Sequence, residues 1–263
     1  MIRIFENRKF YTKETFYLAS KEDFISAKSS ADMIHTSYCD FSLVGNGIID
    51  TPCYSARIDL LQDVEEIQSK FTKTLKYEIN RAKKDGITVK FYFSSDIRSD
   101  VSILSYLKSE YKHFCETNDR MQILSYFDMP SIERFVEQNA LCVSRAEFEG
   151  GNVYHIYYCD GVSTRLWFSY SSLAEELQDR NLLGRANKYL HNEDILLFKE
   201  KGYSIYDWGG LFNPDGKNGI DKFKLSFGAE SYEAHSIIKA ITFKGRILVI
   251  LFKLKQLLLA AKK

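Results

Sequence analysis

The sequence predicts an α/β protein in which a mixed central sheet is flanked by helices. Residues 87–243 read in the order strand, two helices, three strands, helix, strand, helix and strand. Turn signals at residues 149–152 and 159–161 link the three strands as a meander. The later strand–helix–strand order indicates a crossover connection, and the two patterns together are typical of one mixed sheet.

The individual elements follow from hydrophobic periodicity and turn residues. Residues 1–60 are expected to be mostly extended, with one short helix near residues 21–29. Residues 61–84 predict one continuous helix, because apolar residues recur every three or four positions from Val64 to Ala82. Further helices are predicted at residues 101–116, 131–138, 187–201 and 220–226, strands at residues 87–93, 141–148, 153–158, 162–170, 203–208 and 231–243, and a loop at residues 181–184.

The composition excludes several classes of protein. The 263 residues contain 36 Lys and Arg against 35 Asp and Glu, and the net charge of +1 argues against a general polyanion binder. The first residues lack the apolar segment of a signal peptide, and no apolar run approaches the roughly 20 residues that span a bilayer. We therefore expect a cytoplasmic protein, able to associate peripherally with the inner face of the membrane.

The five cysteines are odd in number and widely spaced. An odd count does not suit a disulfide framework, and no pair has the CxxC spacing of a zinc site. We expect free thiols, mostly buried, and no metal cofactor.

A short motif, Asn181-Leu-Leu-Gly-Arg-Ala186, precedes the helix at residues 187–201. Free backbone N–H groups at the positive end of a helix favour an anion, and small residues let the anion approach. The motif resembles the pyrophosphate-binding pattern of the GNAT acyltransferases. The resemblance implies a donor site at Asn181, Gly184, Arg185, Ala186 and Asn187, with a plain turn at Gly184 as the alternative.

Two later motifs resemble signatures of the FemABX enzymes, the GNAT branch that forms peptidoglycan bridges. The first combines Leu190-His191 with Gly202-Tyr-Ser-Ile-Tyr-Asp-Trp-Gly-Gly210. The second, Gly219-Ile-Asp-Lys-Phe-Lys-Leu-Ser-Phe-Gly228, is the more specific match. In that family the Phe-Lys pair lies at the acyl-donor site. The resemblance therefore implies that Phe223 lines the donor site and that Lys224 stabilises the negative charge that develops during transfer.

The resemblance covers about residues 50–230 and includes a weaker basic-helix match from Lys76 to Val89. It implies a GNAT acyltransferase domain at residues 87–243. Residues 1–86 would form an extension that corresponds to part of a second such domain. Residues 244–263 predict a separate basic amphipathic helix.

Several residues at the strand around Asp207 are candidates for the chemistry. Asp207 is expected to act as general base or to hold the substrate amine, unless it only caps the turn before Gly209. Tyr206 is expected to protonate the leaving group, with a core position as the alternative. Five further residues are predicted to bind substrate: His191, Trp167, Trp208, Gly209 and Gly210. For His191 the alternative is a structural hydrogen-bonding role, and for Trp167 it is packing in the core.

Together these features predict an N-acyltransferase that moves an acyl or aminoacyl group from a carrier to a primary amine of a cell-envelope peptide or amino sugar. The phosphate-binding motif favours acyl-CoA as the donor, whereas the FemABX resemblance implies an aminoacyl-tRNA. Acidic residues interleave with the cations of the helix at residues 61–84, which disfavours tRNA binding. A catalytically silent envelope-assembly module is the alternative from a different class.

The C-terminal segment has its own predicted partner. Residues 244–263 contain six Lys or Arg, no acidic residue and a broad apolar face. Such a helix can lie on an anionic membrane, and residues 245–263 are the predicted contact. The alternatives are docking on its own domain or on a second copy in a homo-oligomer.

Overall fold

The computed structural model describes residues 1–119, 130–173 and 180–260. Over those ranges the chain forms ten strands and nine helices. The strands are β1 Ile2–Arg8, β2 Tyr11–Tyr17, β3 Met33–Cys39, β4 Ile48–Asp59, β5 Thr88–Phe93, β6 Leu141–Phe148, β7 Gly151–Cys159, β8 Ser163–Leu173, β9 Ile205–Leu211 and β10 Glu230–Ala240. The helices are α1 Lys21–Ser26, α2 Val64–Ser69, α3 Lys73–Lys84, α4 Ser94–Ser99, α5 Ser102–Thr117, α6 Pro130–Glu137, α7 Arg180–Glu200, α8 Gly219–Leu225 and α9 Phe243–Ala260.

The chain folds as two compact units that interleave in sequence. The first contains residues 1–55, 210–221 and 231–263, and the second contains residues 56–209 and 222–230. Helices α2 and α3 therefore belong with the later strands of the second unit. The division predicted from the sequence, into residues 1–86, 87–243 and 244–263, stays a prediction.

The first unit is built on a β-α-β arrangement. Strands β1 and β2 form an antiparallel hairpin, and β3 pairs parallel to β2 through the crossover helix α1. Ser20 caps α1, because its Oγ accepts a hydrogen bond from the Asp23 N–H at 3.1 Å. Strand β10 pairs antiparallel to β3. Phe16, Phe24 and Ile237 are fully buried in the core of this unit.

The second unit contains the predicted meander. Strands β5, β6, β7 and β8 are antiparallel neighbours, and β9 pairs parallel to β8. The register between β7 and β8 shifts by one residue, because Ile156 pairs with Phe168 while Tyr157 pairs with Leu166. Trp167 is therefore the extra residue of a β-bulge.

Helices cover both faces of the strands in this second unit. The Tyr157 ring lies 5.1 Å from that of Phe198 in α7, and the Tyr158 ring lies 5.6 Å from that of Phe135 in α6. Because successive strand residues point to opposite faces, α7 and α6 lie on opposite sides of the sheet. Helix α3 packs beside α7 through a buried cluster that includes Ala82.

The predicted α/β class is confirmed, since each unit combines parallel and antiparallel strand pairs with packed helices. The C-terminal helix is present as α9, and the five cysteines are free. Helix α4 was not predicted. Its first turn is held by Asp96, whose Oδ2 accepts from the Phe93 N–H at 2.7 Å. No described helix combines the length and the apolar character needed to cross a bilayer.

The prediction of a single helix at residues 61–84 is wrong. The chain forms α2 and α3, which are separated at residues 70–72. The Thr72 N–H donates to the Ser226 carbonyl at 2.9 Å instead of continuing α2. Thr72 Oγ1 then accepts from the Leu75 N–H and caps α3. A tertiary hydrogen bond thus overrides the local apolar periodicity.

Gly228 allows a close approach at this break and generates a stability prediction. It has φ +71°, and a Cβ there would overlap with Lys70 Cβ. We expect Gly228→Ala to lower the free energy of unfolding by about 2–4 kcal/mol, because the clash adds to the left-handed strain. Gly184→Ala is the matched control. Gly184 is helical with nothing near a Cβ, and the change should stabilise the helix by up to about 1 kcal/mol. Denaturant unfolding measures both, and a Gly228→Ala variant as stable as the wild type would contradict this packing.

Candidate active site

Strands β8 and β9 pair over only three residue pairs, and this part of the ladder ends at Asp207. Two residues later Gly209 has φ +70°, and its N–H donates to Asp207 Oδ1 at 2.7 Å. A Cβ at Gly209 would lie 3.1 Å from the Leu166 carbonyl oxygen, so only glycine lets the β9 backbone turn here without strain. The next residue, Gly210, belongs to the first unit, where it lies against the Tyr38 ring.

A buried polar network joins β7, β9 and α7. Asp194 Oδ2 lies 2.6 Å from His155 Nδ1 and accepts a hydrogen bond from the Tyr157 hydroxyl, also at 2.6 Å. The Tyr157 hydroxyl lies 2.8 Å from the Tyr206 hydroxyl, which lies 2.9 Å from His191 Nδ1. All five side chains are almost completely buried.

Regular secondary structure aligns these side chains. His155 and Tyr157 are two residues apart on β7 and therefore face the same side. His191 and Asp194 are three residues apart on α7, which places them on one helix face. Asn187 lies one turn earlier, and its Oδ1 is 2.8 Å from His155 Nε2. The His155 and His191 rings also stack, with centroids 3.8 Å apart.

The network controls the protonation of its members. Burial lowers the pKa of His191 well below its usual range, and nearby positive charges lower it further. Burial raises the pKa of the Tyr157 and Tyr206 hydroxyls well above theirs, together with the negative charge of Asp194. Near neutral pH His191 is therefore an uncharged imidazole, and both phenols keep their protons. Asp194, Tyr157, Tyr206 and His191 form a continuous chain of hydrogen bonds along which a proton can shift.

Aromatic side chains surround the His191 ring. The ring centroids of Trp208, Phe223 and Phe227 lie 4.4, 5.6 and 5.7 Å from that of His191. Lys224 follows Phe223 on α8, and its positive charge contributes to the lowered pKa of His191. The structure thus brings together five predicted site residues: His191, Tyr206, Trp208, Phe223 and Lys224.

Two buried polar atoms of this region are not satisfied. The Trp208 Nε1–H and Asp194 Oδ1 have no hydrogen-bond partner among the described residues. Leaving a buried donor or acceptor unpaired costs about 1–3 kcal/mol. Such atoms call for an explanation, and a functional role is one of the recognised explanations.

Two other predicted site residues lie on the opposite face of the sheet. Asp207 follows Tyr206 in β9 and points the other way, where its Oδ2 accepts from Arg165 Nη2 at 2.7 Å. Trp167 packs on that face as well, with its ring 5.2 Å from that of Phe135 in α6. The Asp207 carboxylate is thus engaged by a guanidinium and a backbone N–H. This arrangement does not favour Asp207 as the general base.

The prediction of a loop at residues 181–184 is wrong. The described part of helix α7 runs from Arg180 to Glu200, so the motif at residues 181–186 is helical. Leu182 and Leu183 pack against the buried cluster that α7 shares with α3 and the sheet. This apolar contact continues the helical periodicity toward the N-terminus of α7.

Three of the predicted donor-site residues make contacts within the protein. Arg185 Nε donates to Asp85 Oδ2 at 2.6 Å, and Ala186 is fully buried. Asn187 bonds to His155 of the network. The packing and hydrogen bonding of α7 therefore account for much of the motif.

A basic cavity of about 420 Å³ lies beside the first turns of α7. Asn181 and Gly184 line it, as do four cations, Arg81, Arg180, Arg185 and Lys188, with Glu78 as a carboxylate. Lys188 pairs with Glu78 at 3.6 Å, but no described carboxylate forms a salt bridge with Arg81 or Arg180. Guanidinium groups and the positive end of a helix both favour phosphate groups.

A second cavity, of about 370 Å³, adjoins the first, since Arg180 and Gly184 line both. It extends along β8 at residues 169–171 and reaches Asn187 of the polar network. Its lining includes the side chains of Phe114 and Val153, which suit an apolar or mixed ligand.

His155, His191 and Asp194 also place three potential metal-ligand atoms within 4.8 Å of one another. Four of the six possible ligand atoms are already used in hydrogen bonds within the network: His155 Nδ1, His155 Nε2, His191 Nδ1 and Asp194 Oδ2. These bonds, and the stacking of the two rings, describe a hydrogen-bonded network better than a metal site.

No protein-family model matches this chain, and no curated protein matches its sequence. Solved structures match its fold. FemX is 12% identical, over 95% of this chain and 85% of its own, with a TM-score of 0.63. The C-terminal domain of a protein from Agrobacterium fabrum assigned as a lysylphosphatidylglycerol synthetase is 10% identical, over 94% of this chain and 83% of its own, with a TM-score of 0.58. The predicted GNAT-like fold of the FemABX kind is confirmed.

Four residues of this region were not predicted from the sequence: His155, Tyr157, Asp194 and Arg165. Two signals were present, the alternation of His155 and Tyr157 on a strand and the helical spacing of His191 and Asp194. Neither signal shows that β7 lies under α7, and only that packing brings His155, Tyr157, His191 and Asp194 together. Arg165 carries no such signal and lies on the opposite face with Asp207.

The lowered pKa of His191 predicts how stability depends on pH. The unfolded chain takes up this proton near pH 6.5 and the folded protein only at lower pH. Stability is therefore fully present above pH 6.5 and is lost below it, by at most about 1.4 kcal/mol per pH unit for one proton. We expect His191→Gln to flatten the fall in the free energy of unfolding between about pH 6.5 and 4.5. His113→Gln, a change at a half-buried histidine on α5, is the control, and equal slopes for the two variants would contradict the assignment.

Proposed function

We propose that this protein is an N-acyltransferase that moves an acyl or aminoacyl group from a phosphate-bearing carrier to a primary amine of a cell-envelope peptide or amino sugar. The position of Asn187 carries this proposal. Asn187 lines the second cavity and hydrogen-bonds to His155 of the buried network. Asn187 is therefore the point at which two features meet: a cavity that adjoins a basic site, and a chain of groups that can transfer a proton. This arrangement suits acyl transfer to an amine.

The donor in this proposal is an acyl-CoA. Arg81, Arg180 and the first turn of α7 would hold its phosphates, and the cavity along residues 169–171 would take its acyl arm. An aminoacyl-tRNA, which the FemABX resemblance implies, is the alternative donor. The fold likeness to a lysylphosphatidylglycerol synthetase domain supports an acceptor in the cell envelope.

His191 rather than Asp207 would be the general base. Its Nδ1 is bonded to Tyr206, and no described residue hydrogen-bonds to its Nε2. As the amine nitrogen bonds to the acyl carbon and the thioester C–S bond breaks, Nε2 would take the amine proton, and the leaving thiolate would take a proton in turn. The chain through Tyr206 and Tyr157 to Asp194 would stabilise the imidazolium that forms.

The developing oxyanion would be stabilised by Lys224 and by the Trp208 indole N–H. Lys224 is close enough to His191 to lower its pKa, and Trp208 carries the unpaired buried donor. A fixed cation and a donor already free of water interact more strongly with a new negative charge than solvent does. This role would also account for the unpaired indole N–H.

Ligand binding tests the donor. At a concentration of 100 times its dissociation constant, acetyl-CoA or CoA should add about 2.7 kcal/mol of stability in a thermal-shift assay, and ATP should add less. Arg81→Ala combined with Arg180→Ala should remove the shift, because it removes the cations of the basic cavity. Lys21→Ala combined with Lys28→Ala, at exposed cations of the first unit, is the control and should keep it. If neither CoA nor acetyl-CoA shifts the melting temperature, an acyl-CoA donor is ruled out.

Turnover tests the role of Lys224. Acetyl transfer to glucosamine and to a lysine-ending peptide is measured with acetyl-CoA as donor. Lys224→Ala should lower kcat by about 10²–10³, the usual effect of removing an oxyanion-stabilising group. Lys222→Ala, at an exposed cation of the same helix, should leave kcat within twofold. Equal activity of the two variants would remove Lys224 from the mechanism.

A further inference from the structure

Helix α9 is attached firmly at its start. Gly245 lies against the Asp32 carbonyl so closely that a Cβ would overlap with it. The same Asp32 carbonyl accepts from the Ile241 N–H at 2.9 Å, and its Oδ1 accepts from Thr242 Oγ1 at 2.8 Å. The beginning of α9 is therefore fixed on the first unit.

One face of α9 packs on the first unit. Val249 is 1% exposed and forms a buried cluster with Met33 and Ile49. Phe252 packs against the same cluster, with its ring 6.3 Å from that of Tyr11. This face accounts for the attachment of the helix.

A second apolar face of α9 is left in solvent. Seven large side chains are between 45% and 78% exposed: Phe243, Ile247, Ile250, Leu251, Leu254, Leu257 and Leu258. At about 100° of rotation per residue they occupy a stripe about 120° wide, centred about 140° from Val249. A contiguous exposed apolar stripe of this kind marks an interaction surface.

Exposed cations border this stripe on both sides. Lys244 and Lys255 lie along one border, and Arg246 and Lys253 along the other. No acidic residue occurs from residue 243 to the end of the sequence. An apolar centre between two basic borders is the arrangement of a helix that lies in a membrane interface, where the borders meet anionic headgroups.

We propose that the exposed stripe of α9 binds the surface of an anionic lipid bilayer. The charges favour this partner over a second copy of the chain. In a two-fold pairing of this stripe with itself, basic borders would face basic borders and repel each other. The proposal rests on the first unit and is independent of the acyl transfer proposed for the second.

The experiment measures sedimentation of the full chain with vesicles of phosphatidylcholine alone or with about 30% phosphatidylglycerol. We expect binding to the anionic vesicles only. Leu251→Ser, Leu254→Ser and Leu258→Ser together should weaken it more than tenfold. The matched control combines Phe10→Ser, Val44→Ser and Leu61→Ser, which removes three exposed apolar side chains outside α9 and should leave binding unchanged. Lys253→Gln and Lys255→Gln should each weaken binding about fivefold, the factor that corresponds to roughly 1 kcal/mol per cation near such a surface.

Several results would overturn the proposal. The proposal fails if the wild type does not bind anionic vesicles. It also fails if the α9 triple variant and the control triple variant bind them equally. Light scattering that shows a dimer which the α9 variant dissociates, without vesicle binding, would assign the stripe to contact between copies. Melting curves show whether each variant is folded. A CoA-induced shift that persists in the α9 variant separates failure of this proposal from failure of the proposed acyl transfer.

Discussion

The second unit depends on the hydrogen bonds that the buried Asp194 carboxylate forms with His155 and Tyr157. The carboxylate is fully buried, and one of its oxygens is shared by His155 and Tyr157. A carboxylate removed from water without such partners would cost several kcal/mol, so helix α7 must lie where β7 can supply them. Tyr157 extends the connection to Tyr206 of β9, and Tyr206 in turn orients His191. The position of the proposed base therefore follows from the need to satisfy one buried group.

In the second unit, polar residues on the two faces of the strands have different roles. In β9, Tyr206 and Trp208 point toward α7, while Asp207 between them points toward α6. On that side it forms an almost completely buried pair with Arg165, and breaking such a pair leaves an uncompensated charge. Asp207 is thus the most conspicuous carboxylate of its sequence motif, yet its contacts are those of a structural residue. The groups that can exchange a proton lie on the other face.

The two units present different physical surfaces. The second unit has a buried polar network and a basic cavity. Electrostatic interactions within the network are strong because water is excluded there. The first unit exposes an apolar stripe with basic borders, where binding depends on apolar area and on screened charge. The acyl transfer proposed for the second unit would use the first kind of surface, and the membrane binding proposed for α9 would use the second.

The sequence by itself determined the α/β class, the meander and most helices, because periodicity and turn residues are local and act before any long-range contact. The motif at residues 219–228 also indicated the GNAT-like fold and pointed to Phe223 and Lys224. Only the tertiary structure decided the break at Thr72, the helical conformation of residues 181–184 and the face of the sheet on which Asp207 lies. Each depends on a partner distant in sequence: the Ser226 carbonyl, the cluster that α7 shares with α3, and the guanidinium of Arg165. Local patterns cannot specify such contacts, because the energy of each one exists only once the chain has folded around it.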